Sequence, residues 1–128
     1  PPRGKGERIL FVDDQEAIVD VETRSLRRLG YDVVGITSSL DALKLFSSQA
    51  DGFDLVITDL TMPDLPGDKF ASEIRRLRPN LPLIICSGYD YDCHSTTTKP
   101  NAEAVSEFLK KPIDRNNFAR VIARLLTH

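Results

Sequence analysis

Four short apolar runs in this chain each end in a reactive polar residue, and this pattern constrains the fold more than any other feature. The runs and the residues that follow them are 9–12 with Asp13-Asp14, 55–57 with Thr58-Asp59, 83–86 with Ser87, and 108–109 with Lys110-Lys111. Short apolar runs bounded by turn residues are typical of buried parallel strands. Because open parallel sheets bind ligands beyond the carboxyl ends of their strands, we expect the polar groups to converge there. Three carboxylates, a hydroxyl and an ammonium can together hold a divalent cation and a phosphoryl group.

Helical patterns separate these strands, and Val33, Val34 and Ile36 form a further short strand. The expected helical positions are 15–29 (Ile18, Val21, Leu26, Leu29, then Gly30), a helix capped by Ser38 or Ser39 (Ala42, Leu43, Phe46), 67–77 (Phe70, Ile74, Leu77), and a last helix after Asp114 (Phe118, Val121, Ile122, Leu125). Alternating strands and helices predict an α/β fold with a parallel sheet. The natural candidate is a flavodoxin-like, doubly wound sheet of five parallel strands, in the order 2-1-3-4-5, with helices on both faces.

The segment between residues 89 and 103 is the least regular part of this pattern. It is polar, it contains Pro100, and the β-branched Thr96-Thr97-Thr98 oppose helix formation. We therefore expect residues 89–101 to be irregular, with at most a short helix near residues 102–105.

Length and charge exclude several classes of protein. A chain of 128 residues is one domain, and its net charge of −2 offers no basic field for nucleic acid or acidic membranes. The arginine groups at 24, 27 and 28 and at 75, 76 and 78 are expected to be solvated helix faces. There is no run of 18 apolar residues, and the two cysteines lack metal-ligand spacing, which favours a reducing, cytoplasmic location. Residues 1–7, rich in Pro and Gly, are interpreted as a linker remnant before a domain at 8–128.

Taken in order, the motifs resemble the receiver domain of two-component signalling over roughly residues 8–126. The matching parts are Asp13-Asp14, Asp59-Leu60-Thr61-Met62-Pro63 with Gly67, Ser87-Gly88, and Phe108-Leu109-Lys110-Lys111-Pro112. The resemblance implies that Asp59 is the phosphoacceptor, which holds the phosphoryl group as an acyl phosphate. It also implies that Asp14, Asp59 and the backbone carbonyl of Thr61 bind Mg²⁺ (or Mn²⁺) directly, while Asp13 acts through water.

The resemblance assigns roles to residues of the last two strands as well. Lys111 is expected to pair with a phosphoryl oxygen, and the Lys111-Pro112 bond to be cis, which would turn the ammonium towards the site. Ser87 is expected to donate its hydroxyl to another phosphoryl oxygen and to act with Phe108 as a conformational switch. Thr61 and Tyr89 would flank the path of the hydrolytic water, and a bulky Tyr89 should slow loss of the phosphoryl group.

These residues also allow simpler and competing interpretations. Asp13 alone could be a helix N-cap that forms a capping box with Glu16. A haloacid-dehalogenase-like phosphatase would need a second Asp where Thr61 stands. A flavodoxin would need a phosphate-binding loop where Asp13 and Asp14 would repel a phosphate. A pseudo-receiver that only binds partners remains an alternative, although no member of the acidic and cationic set is missing.

The resemblance also suggests a place in a signalling system. Residues 67–70 and 74–82 resemble receivers attached to hybrid sensor histidine kinases, and the alternative parent is a stand-alone or amino-terminal response regulator. The expected partner is a histidine kinase or a histidine phosphotransfer domain, with no direct binding of nucleic acid and no membrane contact. The domain is expected to be a monomer that phosphorylates itself from small donors and dephosphorylates itself.

Overall fold

A computed structural model describes residues 4–87, 106–111 and 113–126, and it contains a five-stranded parallel sheet. The strands are β1 (Arg8–Val12), β2 (Asp32–Ile36), β3 (Leu55–Asp59), β4 (Leu83–Ser87) and β5 (Glu107–Lys110). Their order is β2-β1-β3-β4-β5, so the predicted fold class and strand order are confirmed. The expected irregular segment at residues 89–101 and the short helix near 102–105 lie outside the described residues.

Four helices occur in the described ranges, and local sequence signals begin and end them. They are α1 (Glu16–Arg28), α2 (Ser39–Ser48), α3 (Gly67–Leu77) and α4 (Arg115–Leu126), with a short 3₁₀ turn at Ala50–Gly52. The Ser38 hydroxyl accepts a hydrogen bond from the Asp41 amide, as expected of an N-cap. Gly30, with φ +99°, follows α1, and the Tyr31 amide reaches back to the Leu26 carbonyl, which is the bonding pattern of a Schellman motif.

The helices cover both faces of the sheet and create two separate apolar cores. One core contains Phe46 of α2 and Phe70 of α3, and the other contains Leu26 of α1 and Phe118 of α4. Both faces of the sheet are therefore buried, which explains why the central strands read as continuous apolar runs rather than alternating ones. Among the helices of the described ranges, none has both the length and the apolarity that a membrane span requires.

Val21, one of the apolar residues in the helical pattern of α1, does not face the core. Val21 is 50% exposed, whereas Val19 and Thr23 are buried. The cause is Gly35 on β2: a Cβ there would lie 2.5 Å from a Val19 methyl carbon and 2.7 Å from a Thr23 methyl carbon. Because Gly35 has no side chain, α1 packs closely through Val19 and Thr23, and Val21 then points to solvent.

Arg75 and Arg78 are partly buried, unlike the solvated helix faces predicted for them, whereas Arg27 is exposed as predicted. The guanidinium of Arg27 donates to the Val33 carbonyl, that of Arg75 to the carbonyls of Pro79 and Leu81, and that of Arg78 to those of Ala50 and Phe53. The acceptor of Arg27 lies in the edge strand β2, and those of Arg75 and Arg78 lie in the segments that precede β4 and β3. The three side chains therefore tie α1 and α3 to neighbouring backbone.

Residues 4–7 lie against the turn between α1 and β2. The Gly4 amide donates to the Leu29 carbonyl, the Gly6 amide to the Gly30 carbonyl, and the Asp32 amide to the Glu7 carbonyl. The chain thus enters β1 alongside this turn.

Candidate phosphoryl and metal site

The polar residues predicted at the strand ends are brought to one edge of the sheet. Asp13 and Asp14 follow β1, and Asp59 ends β3, the neighbouring strand. One carboxylate oxygen from each of the three lies within 4.8 Å of the others. Asp13 is buried, Asp59 is partly buried and Asp14 is exposed, so the cluster opens to solvent on the Asp14 side. The predicted convergence of the carboxylates is confirmed.

The Lys111 ammonium bridges two of these carboxylates. Its Nζ lies 3.0 Å from Asp13 Oδ2 and 3.1 Å from Asp59 Oδ1. The Lys111 amide also donates to the Ser87 carbonyl at 2.7 Å, which fixes the backbone just after β5. Ser87, at the end of β4, is buried. The strand ends therefore present carboxylates and an ammonium side by side. The buried Ser87 is linked to Lys111 through its backbone carbonyl.

Among the residues that the structure describes, the charges of the cluster are not balanced. Burial raises the pKa of Asp59, the Lys111 ammonium partly opposes this, and the charges of Asp13 and Asp14 raise it further. Burial alone would lower the pKa of Lys111, but its bonds to Asp13 and Asp59 raise it overall. One ammonium cannot neutralise three carboxylates, and hard oxygen donors of this kind suit a small divalent cation. The cluster fits a metal ion on its donor set.

The structure excludes the simpler interpretation of Asp13 as a helix cap. Helix α1 has Gln15 as its N-cap residue, with no side-chain capping bond. Asp13 Oδ1 instead accepts a hydrogen bond from the Gln15 amide at 2.9 Å, and its other oxygen meets Lys111. The Gln15 amide thereby holds the Asp13 carboxylate in the orientation that faces the site.

A close backbone approach fixes the end of β3. The Leu60 amide donates to the Cys86 carbonyl, and the Gly67 amide returns to the Leu60 carbonyl. A Cβ on Gly67 would lie 2.2 Å from the Asp59 carbonyl oxygen, so only glycine permits this approach. Thr61, in the loop so closed, is exposed.

Two charged residues near the site were missed by the sequence analysis. Arg115 Nη2 lies 2.6 Å from Glu22 Oε1, which joins the start of α4 to α1. Both residues line a cavity of about 260 Å³ that also reaches Asp59 and Lys111. The available signal was Arg115 itself, since an arginine in the first turn of a helix opposes the helix dipole and so suggests a tertiary partner.

Other predicted site residues are less central or lie outside the described ranges. Phe108 of β5 is partly buried and packs on the core that contains Phe46 and Phe70. Tyr89 and Pro112 lie outside the described residues, as does the peptide bond that was expected to be cis.

A parallel sheet with an aspartate cluster and a lysine at the carboxyl ends of its strands defines a class of α/β signalling domain. Residues 9–123 match the family described as response regulator receiver domain. The chain belongs to this family.

The curated relatives that the chain matches are longer proteins. The chain is 36% identical over 118 residues to the DNA-binding transcriptional regulator NtrC of Bradyrhizobium sp. (strain RP501 Parasponia), covering 92% of this chain and 24% of that protein. It is thus about a quarter of the length of this relative.

Solved structures show the same fold. The receiver domain of the hybrid histidine kinase CckA has a TM-score of 0.77 and 32% identity, with 94% of this chain and 99% of that chain covered. The response regulator TrrA of Thermotoga maritima, in complex with Mg²⁺ and BeF, has a TM-score of 0.81 and 29% identity over 94% and 99% of the two chains. The chain is accordingly a receiver domain of two-component signalling, a family that relays phosphoryl groups with kinases or phosphotransfer proteins.

Proposed function

We propose that Asp59 is the residue that accepts the phosphoryl group, from a phosphohistidine of a histidine kinase or a histidine phosphotransfer domain. The observation that carries this proposal is the position of Asp59: it ends the central strand, within reach of two further carboxylates and 3.1 Å from the Lys111 ammonium. An oxygen of the Asp59 carboxylate forms the new O–P bond while the P–N bond breaks, and the imidazole leaves with the electron pair and is protonated.

Each neighbouring side chain has a proposed task in this transfer. Asp14 and Asp59, with the Thr61 carbonyl, would hold Mg²⁺ or Mn²⁺ directly, and Asp13 would act through water. A bound ion would neutralise charge on the transferring oxygens. The Lys111 ammonium is already placed between Asp13 and Asp59 and would pair with a phosphoryl oxygen. The magnesium complex of the related TrrA supports this choice of ion.

The readout of phosphorylation is proposed to pass through β4 and β5. The buried Ser87 would donate its hydroxyl to a phosphoryl oxygen, and the partly buried Phe108 would then follow by deeper burial. Thr61 and Tyr89 are proposed to control how quickly water removes the phosphoryl group. Phe108 has no hydroxyl, so its report would rest on packing alone.

The decisive experiment labels the protein with acetyl phosphate and Mg²⁺ and measures its intact mass. Wild type should gain one phosphoryl group, and Asp59→Asn should gain none. Asp51→Asn is the control, since this exposed carboxyl lies in the 3₁₀ turn before β3 and should leave labelling unchanged. Undiminished labelling of Asp59→Asn would refute the assignment, and an unlabelled wild type would favour a pseudo-receiver.

The parent protein is proposed to be a hybrid sensor histidine kinase located in the cytoplasm. The likeness to the CckA receiver supports this parent, whereas the likeness to NtrC supports the alternative of a response regulator. The free thiol of Cys86 fits a reducing compartment. The domains encoded beside this segment in its gene distinguish the two parents.

A further inference from the structure

A cavity separates part of the loop that carries Lys111 from α1. It has a volume of about 260 Å³, and Lys111 and Asp59 share it with apolar residues that include Ile113. Ile113 of this loop packs against the core that contains Leu26 and Phe118, but the space beside Lys111 is not filled by side chains. Where side chains leave such a space, polar contacts add to the restraint that packing gives.

The Glu22–Arg115 ion pair lines this cavity. Its atoms approach to 2.6 Å, and the Glu22 side chain is 14% exposed whereas that of Arg115 is 53% exposed. Glu22 Oε2 is buried and has no hydrogen-bond partner among the described residues, so Arg115 is the cation that compensates this carboxylate. A buried charge that depends on one partner resists separation from it, because breaking the pair leaves the charge uncompensated.

Local helix energetics do not account for an arginine at this position. Arg115 is the first residue of α4, where the helix dipole disfavours a positive charge. Asp114 already caps the helix by accepting a hydrogen bond from the Asn116 amide at 3.0 Å. Arg115, which lies four residues after Lys111, is therefore explained by its tertiary partner Glu22 on α1.

We propose that Glu22 and Arg115 are positioning residues, which hold the β5–α4 loop against α1 so that the Lys111 ammonium stays between Asp13 and Asp59. The expected effect on phosphoryl transfer rests on the proposed function of Lys111. The restraint of the loop by the ion pair does not depend on that function. The Glu22–Arg115 ion pair fixes one end of the loop, and the bond from the Lys111 amide to the Ser87 carbonyl fixes the other.

Arg115→Gln tests the proposal, with Arg124→Gln as the matched control. Arg124 lies on the same helix and also forms a 2.6 Å ion pair, with Glu107, but it does not line the cavity. Amide hydrogen exchange by NMR should be about tenfold faster at Lys111 in Arg115→Gln and unchanged in Arg124→Gln, since exchange reports local opening. Arg115→Lys, which keeps the charge, should restore most of the protection.

Two further readouts separate positioning from general destabilisation. Exchange at Ile57, in the middle of β3, should not change in Arg115→Gln, and Mg²⁺ affinity should equal that of wild type while labelling by acetyl phosphate slows. Equal acceleration at Lys111 and Ile57, or unchanged exchange at Lys111, would overturn the proposal. A wild type that cannot be labelled would refute the proposed function instead, and the exchange result would still decide whether the ion pair holds the loop.

Discussion

At the scale of single residues, the folded protein disfavours the charged form of the Asp59 carboxyl. Burial and the neighbouring carboxylates raise its pKa, and Lys111 relieves only part of that effect. The arrangement keeps the carboxylate close to its neighbours while leaving it in need of a cation. We infer that the carboxylate cluster suits a bound cation and lowers the stability of the protein when no cation is bound.

This predicts how the stability of the metal-free protein depends on pH. Because the pKa of Asp59 is higher in the folded state, the folded protein binds this proton more tightly than the unfolded chain does. The stability that comes from proton binding to Asp59 is fully present below the ordinary aspartate pKa, about 4, and is lost as pH rises through the raised pKa of the folded protein. Asp59→Asn should therefore be more stable than metal-free wild type at neutral pH, and the difference should shrink on acidification.

Urea unfolding of both proteins at several pH values measures this difference. Adding Mg²⁺ should stabilise wild type more than Asp59→Asn, because an ion that binds only the folded state adds to its stability. A difference between the two proteins that stays constant from acidic to neutral pH would contradict the electrostatic explanation.

At the scale of elements, the junction between β3 and α3 determines where Asp59 is presented. Gly67 begins α3 and lies directly against the backbone of Asp59 and Leu60. The contact is between backbones, so no side-chain rotation can relieve an added methyl group. This is the element-level reason that the glycine of the motif is required.

Gly67→Ala should consequently destabilise the fold by about 1–3 kcal/mol, the usual range for overpacking, and slow labelling of Asp59. Gly52→Ala is the control, because a Cβ there would lie 3.2 Å from the flexible end of Arg8 and 3.7 Å from Gln49 Cβ, which is an ordinary van der Waals distance. That variant should remain within about 0.5 kcal/mol of wild type. Urea unfolding and acetyl phosphate labelling measure both effects, and equal behaviour of the two variants would contradict the proposed role of the contact.

At the scale of the whole molecule, the surface of the described residues offers little to a second copy of the domain. Val21 and Leu40 are the large hydrophobic residues exposed there, and they lie on α1 and α2, which cover opposite faces of the sheet. Scattered single apolar residues are ordinary on a monomer.

We therefore expect the domain to sediment as a monomer both alone and with Mg²⁺ and beryllofluoride, which mimics the phosphoryl group. Analytical ultracentrifugation at several protein concentrations tests this. A tight dimer induced by the mimic would contradict the expectation and would favour a transcriptional regulator as the parent protein.

Much of this molecule was determined by local sequence signals. The apolar runs predicted the strands, Ser38 and Gly30 predicted a helix start and a helix end, and the acidic residues at two strand ends predicted the carboxylate cluster. Periodicity and capping act within a few residues of the chain. The carboxylate cluster was predictable for another reason, because parallel strands bring their carboxyl ends to one edge of the sheet whatever their separation in sequence.

Other features were decided only by the tertiary structure, because they depend on partners that are distant in sequence. The strand-end rule predicted that Lys111 lies near the carboxylates, but not that its ammonium bridges Asp13 and Asp59. The pair between Glu22 and Arg115, which both line a cavity, was not predicted by any local pattern. The buried face of α1 was misjudged for the same reason: Gly35, on a neighbouring strand, admits Val19 and leaves Val21 in solvent. Periodicity shows that a helix has an apolar side, but close packing against a particular neighbour decides which residues form it.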